Sequence, residues 1–163
     1  MSELARQDLE RLVEVWEAAV LATHDFLREG AVDFYRPLVR QYVPALKVTL
    51  ARDACGVIQG FIGLDDVAPD AMPESLRSVA LSAPVGKIEM LFVHPEAHGQ
   101  GAGRRLVQFA ESCYAELLVD VNEQNTGAVG FYEHIGFERF ARSPLDGQGK
   151  PYPLLHMRLV RKA

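Results

Sequence analysis

The sequence predicts an α/β (or α+β) fold with one sheet of mixed strand direction. Helix-type and strand-type hydrophobic periods follow one another in the order helix, helix, hairpin, loop, strand, helix, strand, helix, strand, strand. The middle strand–helix–strand segment, residues 87–122, predicts a βαβ unit with parallel strands. A length of 163 residues suits a single domain spanning residues 1–163.

Two helices and a hairpin are predicted in the first half of the chain. Apolar residues recur at three- and four-residue steps over residues 7–22, which predicts one amphipathic helix, and Gly30 is expected to end this element. A shorter helix is expected over residues 32–46. Two strand-like runs around a turn at residues 53–56 predict a hairpin. The segment 65–87 contains three prolines and predicts a long loop.

The second half predicts four strands and two helices. The strands are expected at residues 87–93, 116–122, 137–142 and 154–160. One helix is expected over residues 104–117, and another over residues 126–135 with Asn125 as its N-cap and Gly136 as its C-cap. The apolar face of the first of these helices is predicted to consist of Leu106, Phe109, Ala110, Cys113 and Leu117.

Charge, cysteine usage and hydropathy argue against several classes of protein. The net charge of −5 disfavours nucleic acid as a partner, because phosphate contacts need clustered cations. Cys55 and Cys113 lack C-x-x-C spacing and the histidines form no zinc pattern, so no metal is expected. No apolar run approaches the ~20 residues of a membrane span, and the N-terminus lacks an apolar signal segment. The expected compartment is the cytoplasm.

The segment HGQGAGRRL, residues 98–106, places three glycines in five positions between a predicted strand and a predicted helix. N–H groups of a first helical turn carry partial positive charge, and glycine lets phosphate oxygens approach the backbone. A P-loop is excluded because no Lys-Ser or Lys-Thr follows. A dinucleotide fingerprint fits poorly because Arg104 stands where the third glycine belongs. A plain turn needs only one glycine, so the segment favours a phosphate-bearing ligand.

Two blocks of sequence resemble the GNAT N-acetyltransferases. HGQGAGRRL is similar to the acetyl-CoA loop of that family, R/Q-x-x-G-x-G/A, with His98 at the position of the usual Arg or Gln. VNEQNTGAVGFYEHIGF, residues 121–137, is similar to the later block N-x-x-N-x-x-A-x-x-F-Y-x-x-x-G-F. The segments ATHDFL, VNEQN, AVGFY and GKPYPLL further resemble the bacterial YjaB-like subgroup. The chain differs from the family in lacking a clear strand before the first helix and in the long segment 65–87.

This resemblance implies a three-layer fold, with a mixed, mostly antiparallel central sheet and helices on both faces. It implies acetyl-CoA as cofactor and a primary amine as acceptor, with direct attack in a ternary complex. The residues expected to contact the cofactor, through backbone or side chain, are Leu91, Phe92, Val93, His98, Gly99, Gln100, Gly101, Ala102, Gly103, Arg104, Asn125 and Tyr132.

The general acid and the general base each have an alternative interpretation. The resemblance implies Tyr132 as the general acid that protonates the leaving thiolate, although a packed aromatic residue would give the same sequence pattern. Glu89, His24 or a water chain could be the general base, and Glu89 could equally be an acid paired with a cation. His156 could line the acceptor site. The acceptor could be a small molecule or a peptide or protein amine, and the chain a monomer or a homodimer. The alternative function is a non-catalytic acyl-CoA-binding or regulatory module.

Overall fold

A computed structural model describes residues 6–23, 30–68, 70 and 83–160. It has four α-helices and six strands within these ranges. The helices are α1 (Arg6–Thr23), α2 (Ala31–Tyr42), α3 (Ala102–Cys113) and α4 (Thr126–His134). The strands are β1 (Lys47–Arg52), β2 (Ile58–Asp66), β3 (Val85–Val93), β4 (Glu116–Asn122), β5 (Glu138–Ser143) and β6 (Leu154–Val160).

The strands form one six-stranded sheet in the order β1-β2-β3-β4-β6-β5. β3 pairs in parallel with β4, whereas β1 with β2, β4 with β6 and β5 with β6 are antiparallel. This confirms the predicted α/β class, the mixed sheet and the βαβ unit.

Backbone contacts divide the chain into two compact units. The first unit comprises Met1–Leu64 and Met90–Val107. Its core is made by the apolar faces of α1 and α2 and by β2, and it consists of Leu12, Val13, Val15, Trp16, Val20, Val39, Val43, Ile58 and Phe61. Ion pairs from Arg36 to Glu17 and from Arg40 to Glu10 join the exposed sides of the two helices.

The second unit comprises Asp65–Glu89 and Gln108–Ala163. Four successive residues of β4, Glu116 to Val119, are buried, as expected for a strand covered on both faces. Gly86 lies against the ring of Tyr114, where a Cβ would come within 2.6 Å of a ring carbon. The hydroxyl of Tyr114 donates to Asp66 Oδ1 at 2.7 Å, so that the ring is fixed at both ends.

Strand β5 contains a bulge next to its partner β6. Arg139 pairs with Met157 and Ala141 pairs with His156, so β5 advances by two residues where β6 advances by one. Phe140 is the additional residue of β5.

Three details of the sequence prediction were wrong. Helix α3 begins at Ala102 and ends at Cys113, because the chain then turns and Ala115 donates its N–H to Pro84 O at 2.8 Å. Phe109 is 46% exposed and Cys113 is exposed, because the buried stripe continues from Leu106 and Ala110 through Val107 and Tyr114 instead. That stripe consists of Ala102, Leu106, Val107, Ala110 and, just past the helix, Tyr114.

Other expectations have mixed outcomes. Helix α1 is described from Arg6 to Thr23, and the segment between it and Gly30 lies outside the described residues. Gly30 itself precedes α2 with a φ of 80°. The hairpin turn at residues 53–56 is confirmed. The predicted loop 65–87 is shorter at both ends, because β2 extends to Asp66 and β3 begins at Val85.

Candidate active site

The glycine loop, residues 98–105, joins β3 to α3 through a backbone conformation that favours glycine. Gly99 and Gly101 have φ values of 74° and 77°, in the left-handed region where a Cβ is disfavoured. A Cβ on Gly99 would meet open space, so the backbone conformation rather than crowding selects glycine there.

The loop presents backbone N–H groups at the start of α3. Arg105 N–H donates to Gly101 O at 3.0 Å, as the first bond of the helix. The N–H groups of Ala102, Gly103 and Arg104 therefore have no partner within the helix. Such groups carry the positive end of the helix dipole, which suits a diphosphate. This cradle fits the pyrophosphate of coenzyme A.

Side chains of the loop bond mainly to its own backbone. His98 Nε2 lies 2.9 Å from Val93 O, and Gln100 Nε2 donates to Glu96 O at 3.1 Å. Arg105 Nη1 donates to Gln100 O at 2.9 Å. The side chain of Arg104 is exposed and makes no ion pair with any residue that the structure describes. The two arginines thus differ: Arg105 braces the loop and Arg104 is the cation accessible to a ligand.

The end of β3 leaves part of its backbone outside the parallel ladder. The pairs of β3 with β4 run from Val85 to Ile88, and Leu91, Phe92 and Val93 lie beyond the last pair. The ring of Phe92 packs 5.9 Å from that of Phe61, in the core of the first unit. The side chain of Phe92 is therefore used in packing, which leaves its backbone as the part suited to a ligand.

Helix α4 carries Asn125 at its start and Tyr132 in its last turns. Asn125 Oδ1 accepts from Ala128 N–H at 3.1 Å, which confirms the predicted N-cap. Tyr132 is 6% exposed and packs edge-on against the rings of Phe131 and Phe137. Burial raises the pKa of the Tyr132 hydroxyl, so it stays protonated at neutral pH.

Glu89 lies on β3 within a cluster of charged side chains. Its carboxylate is 3.5 Å from Lys87 Nζ, and the same ammonium lies 2.9 Å from Asp120 Oδ2 on β4. Burial raises the pKa of Glu89, the attraction of Lys87 opposes this, and the negative charges of Asp120 and Asp65 add to the rise. The carboxylate of Asp120 lies closer to Lys87 than the carboxylate of Glu89 does. Glu89 is therefore a carboxyl group with a raised pKa.

A polar row crosses the sheet in the second unit and consists of Glu89, Lys87, Asp120, His156 and Ser143. Asp120 Oδ1 lies 2.5 Å from His156 Nδ1, and His156 Nε2 lies 2.7 Å from Ser143 Oγ. Sequence reasoning missed the roles of Lys87, Asp120 and Ser143 in this row. The available signal was a polar residue within an apolar strand, as in LLVDV and LLHMRL.

Two histidines were also predicted to act as a base or to line the acceptor site. His24 lies outside the described residues. His156 belongs to the polar row.

Within residues 6–23, 30–68, 70 and 83–160, no group of three or more His, Cys, Asp or Glu residues could hold a metal ion. In the same ranges, no helix is long and apolar enough to cross a membrane.

Comparison with known proteins identifies the class. The acetyltransferase (GNAT) domain matches residues 45–139. The peptidyl-lysine N-acetyltransferase YjaB of Escherichia coli strain K12 is 38% identical over 151 residues, which is 93% of this chain and 90% of that protein. YjaB of Salmonella typhimurium strain LT2 is 36% identical over 148 residues, covering 91% and 89%. The chain therefore belongs to the GNAT family of acetyltransferases.

Solved structures agree with this assignment. The solution structure of apo-form YjaB from Escherichia coli matches with a TM-score of 0.76 and 36% identity, over 96% of this chain and 93% of that one. The PaiA N-acetyltransferase of Thermoplasma acidophilum, crystallised with coenzyme A, has the same fold at 19% identity, with a TM-score of 0.68 and coverage of 98% and 97%. The chain is an N-acetyltransferase, and its cosubstrate is acetyl-CoA.

Proposed function

We propose that this enzyme acetylates lysine side chains of peptides or proteins, and that residues 1–163 act as one catalytic domain. The observation that carries this proposal is the 38% identity, over 93% of the chain, to an enzyme named as a peptidyl-lysine N-acetyltransferase. The net charge of −5 is compatible with a cationic acceptor.

Acetyl-CoA supplies the activated acyl group, and the glycine loop is the proposed anchor for its pyrophosphate. The proposal rests on the N–H groups at the start of α3 and on the accessible cation of Arg104. His98, Gly99, Gln100 and Gly101 shape this loop. The backbone of Leu91, Phe92 and Val93 is proposed to bond the pantetheine arm and to polarise the thioester carbonyl, since it lies beyond the paired part of β3.

Tyr132 is the proposed general acid. As the carbon–sulfur bond breaks, its hydroxyl gives a proton to the leaving thiolate. This role rests on the position of Tyr132 in the block FY-x-x-x-GF that resembles the GNAT family, and a tyrosine hydroxyl is protonated at neutral pH before the reaction. Asn125 is proposed to contact the cofactor while its side chain caps α4.

Glu89 is the proposed general base. It removes a proton from the acceptor ammonium, so that the neutral amine attacks the thioester carbon and forms the new carbon–nitrogen bond. Half-burial beside Asp120 and Asp65 supports this role, because these features raise the pKa of Glu89 towards neutrality. His24 and a water chain are the competing candidates.

The proposed compartment is the cytoplasm of a bacterium. The two cysteines, Cys55 and Cys113, are free and exposed, which suits a reducing compartment. The relatives from Escherichia coli and Salmonella support a bacterial origin. A monomer or homodimer without nucleic acid is proposed.

Thiol release from acetyl-CoA over a matched set of three peptides tests the proposal. One peptide has a single lysine and a blocked N-terminus, the second replaces that lysine by arginine, and the third has a free N-terminus and no lysine. We expect release with the first peptide alone. Release with the third alone would replace the proposal by N-terminal acetylation. Acetyl-CoA binding without release over a broad amine panel would favour a non-catalytic module.

A further inference from the structure

Three side chains of the second unit form a chain of hydrogen bonds, and two of them, Ser143 and His156, have no role in the proposed acetyl transfer. Ser143 Oγ lies 2.7 Å from His156 Nε2, and His156 Nδ1 lies 2.5 Å from Asp120 Oδ1. These are the contacts that connect a hydroxyl nucleophile, a base and an orienting carboxylate in hydrolases of several folds.

The register of three adjacent strands brings these side chains to one face of the sheet. Asp120 on β4 pairs directly with His156 on β6. Ser143 on β5 pairs with Leu154, two residues from His156 along β6, so it is a diagonal neighbour of the imidazole. Three strands of a hydrogen-bonded sheet thus fix the positions of the three groups.

The surroundings of Asp120 determine the tautomer of the imidazole. Burial alone would raise the pKa of Asp120, but the ammonium of Lys87, 2.9 Å away, keeps that pKa below its usual value. An ionised carboxylate can only accept a hydrogen bond, so Nδ1 of His156 carries a proton and donates it to Asp120. In the neutral form of the ring, Nε2 is then the unprotonated nitrogen, to which the Ser143 hydroxyl can donate. This is the tautomer in which a histidine activates a serine.

Access and the neighbouring groups define the substrate class. Ser143 is partly exposed, and the side chain of His156 is 15% exposed. The Phe140 ring lies 6.2 Å from the imidazole ring and packs against the cluster of Val85 and Leu118, so the neighbourhood of His156 is partly apolar, which suits a short acyl chain. Charged groups near His156 include Asp120, which it contacts, and Lys87 and Glu89, which adjoin Asp120.

We propose that Ser143 is an activated nucleophile that takes an acyl group from short-chain activated esters. His156 is the general base and Asp120 the positioning residue. The Ser143 oxygen bonds to the acyl carbon, its proton moves to His156 Nε2, and the bond to the ester's alcohol or phenol oxygen breaks as that oxygen takes the proton from Nε2. Water then gives a proton to His156 Nε2 as its oxygen attacks the acyl carbon. The bond to Ser143 Oγ breaks, Oγ takes the proton back, and a carboxylic acid is released.

The first test needs no variant. The purified full-length enzyme is mixed with p-nitrophenyl acetate in the absence of acetyl-CoA, quenched within seconds, and mapped by peptide mass spectrometry. We expect one acetyl group on Ser143, together with a burst of p-nitrophenol. Acetylation of lysines alone, with Ser143 unmodified, would show that the three side chains only link the strands and would overturn the proposal.

Variants then separate the roles. We expect the burst to disappear in Ser143→Ala and to slow by about 100-fold in His156→Gln. Ser112→Ala is the matched control, because Ser112 is an exposed serine whose hydroxyl donates to Phe109 O at 2.6 Å. In Asp120→Asn we expect slower acylation, still on Ser143, with a changed pH profile. An equal burst in Ser143→Ala and the wild type would contradict the proposal. An unaltered pH profile in Asp120→Asn would contradict the role proposed for Asp120. Since the readout uses no acetyl-CoA, failure here leaves the acetyltransferase assignment intact.

Discussion

The glycine loop and the polar row gather polar groups in opposite ways. The loop offers backbone N–H groups, and its side chains, such as Arg105 and Gln100, mostly fasten the loop to itself. The row offers side chains, drawn from four strands that lie far apart in the sequence. In the loop, the backbone conformation positions the polar groups. In the row, the register of the strands positions them.

This difference decides how each region responds to mutation. A loop that binds through its backbone tolerates most side chains, except those that distort the left-handed positions or repel the ligand. A row of coupled charges responds to the loss of any member, because each partner is left with changed electrostatics.

Gly103→Glu should break the loop's function without breaking its fold. An acidic residue in the first turn of α3 is favourable to the helix dipole, so stability should be retained. Its charge would lie close to the pyrophosphate, and repulsion of ~4 kcal/mol at an effective dielectric of 20 predicts a loss of affinity on the order of 10³-fold. Titration calorimetry with acetyl-CoA measures this, with Gly103→Ala as the control that adds bulk but no charge. Equal affinities of the two variants would refute the pyrophosphate assignment.

Tyr132→Phe should lower kcat by about 100-fold and leave the affinity for acetyl-CoA nearly unchanged. The ring contacts with Phe131 and Phe137 are kept, so the fold should persist. Tyr114→Phe is the matched control, since it removes another tyrosine hydroxyl of the same unit, one that donates to Asp66. Unchanged turnover in Tyr132→Phe would remove Tyr132 as the general acid.

The pH dependence of kcat/KM should expose the coupling within the polar row. As the proposed base, Glu89 would act only when ionised, so activity should rise with pH through its pKa, which burial raises above the usual carboxyl value. Lys87→Met removes the opposing cation and should move this acid limb to higher pH. Asp120→Asn removes a negative neighbour and should move the limb to lower pH.

Opposite shifts of the acid limb in Lys87→Met and Asp120→Asn are expected if Glu89 is the base. Glu96→Gln is the control, because Glu96 is an exposed carboxylate outside the row. The acid limb of this variant should coincide with that of the wild type. A limb that stays fixed in both row variants would exclude Glu89 as the base and favour His24 or water.

Asn125 should give the smallest effect, through the stability of α4. Asn125→Ala loses the bond to Ala128 N–H and should cost about 1 kcal/mol, or roughly 2–4 °C in Tm. Asn125→Asp keeps a capping oxygen and should retain stability. If Asn125→Asp nevertheless weakens acetyl-CoA binding, the amide NH₂ has the second role proposed for it. Scanning calorimetry and cofactor titration measure the two effects separately.

The sequence predicted the loop better than the row, for a physical reason. The glycines at 99, 101 and 103 are neighbours in the chain, and their spacing shows the required backbone directly. The N-cap at Asn125 is local in the same way. The pairing of Asp120 with His156 depends instead on β4 and β6 being aligned, 36 residues apart, and the sequence does not display that alignment. The wrong prediction of the buried face of α3 has the same origin. Tyr114 rather than Cys113 completes the buried stripe.

The bulge in β5 separates the number of residues in the strand from the position of Ser143. After the bulge Ala141 pairs with His156 and Ser143 with Leu154, so removing the additional residue Phe140 would leave both pairs in place. Removing Arg142 would instead shift Ser143 by one pair and direct its side chain to the opposite face from His156. The place of a length difference in β5, before or after Ala141, therefore decides whether a relative keeps Ser143 beside His156.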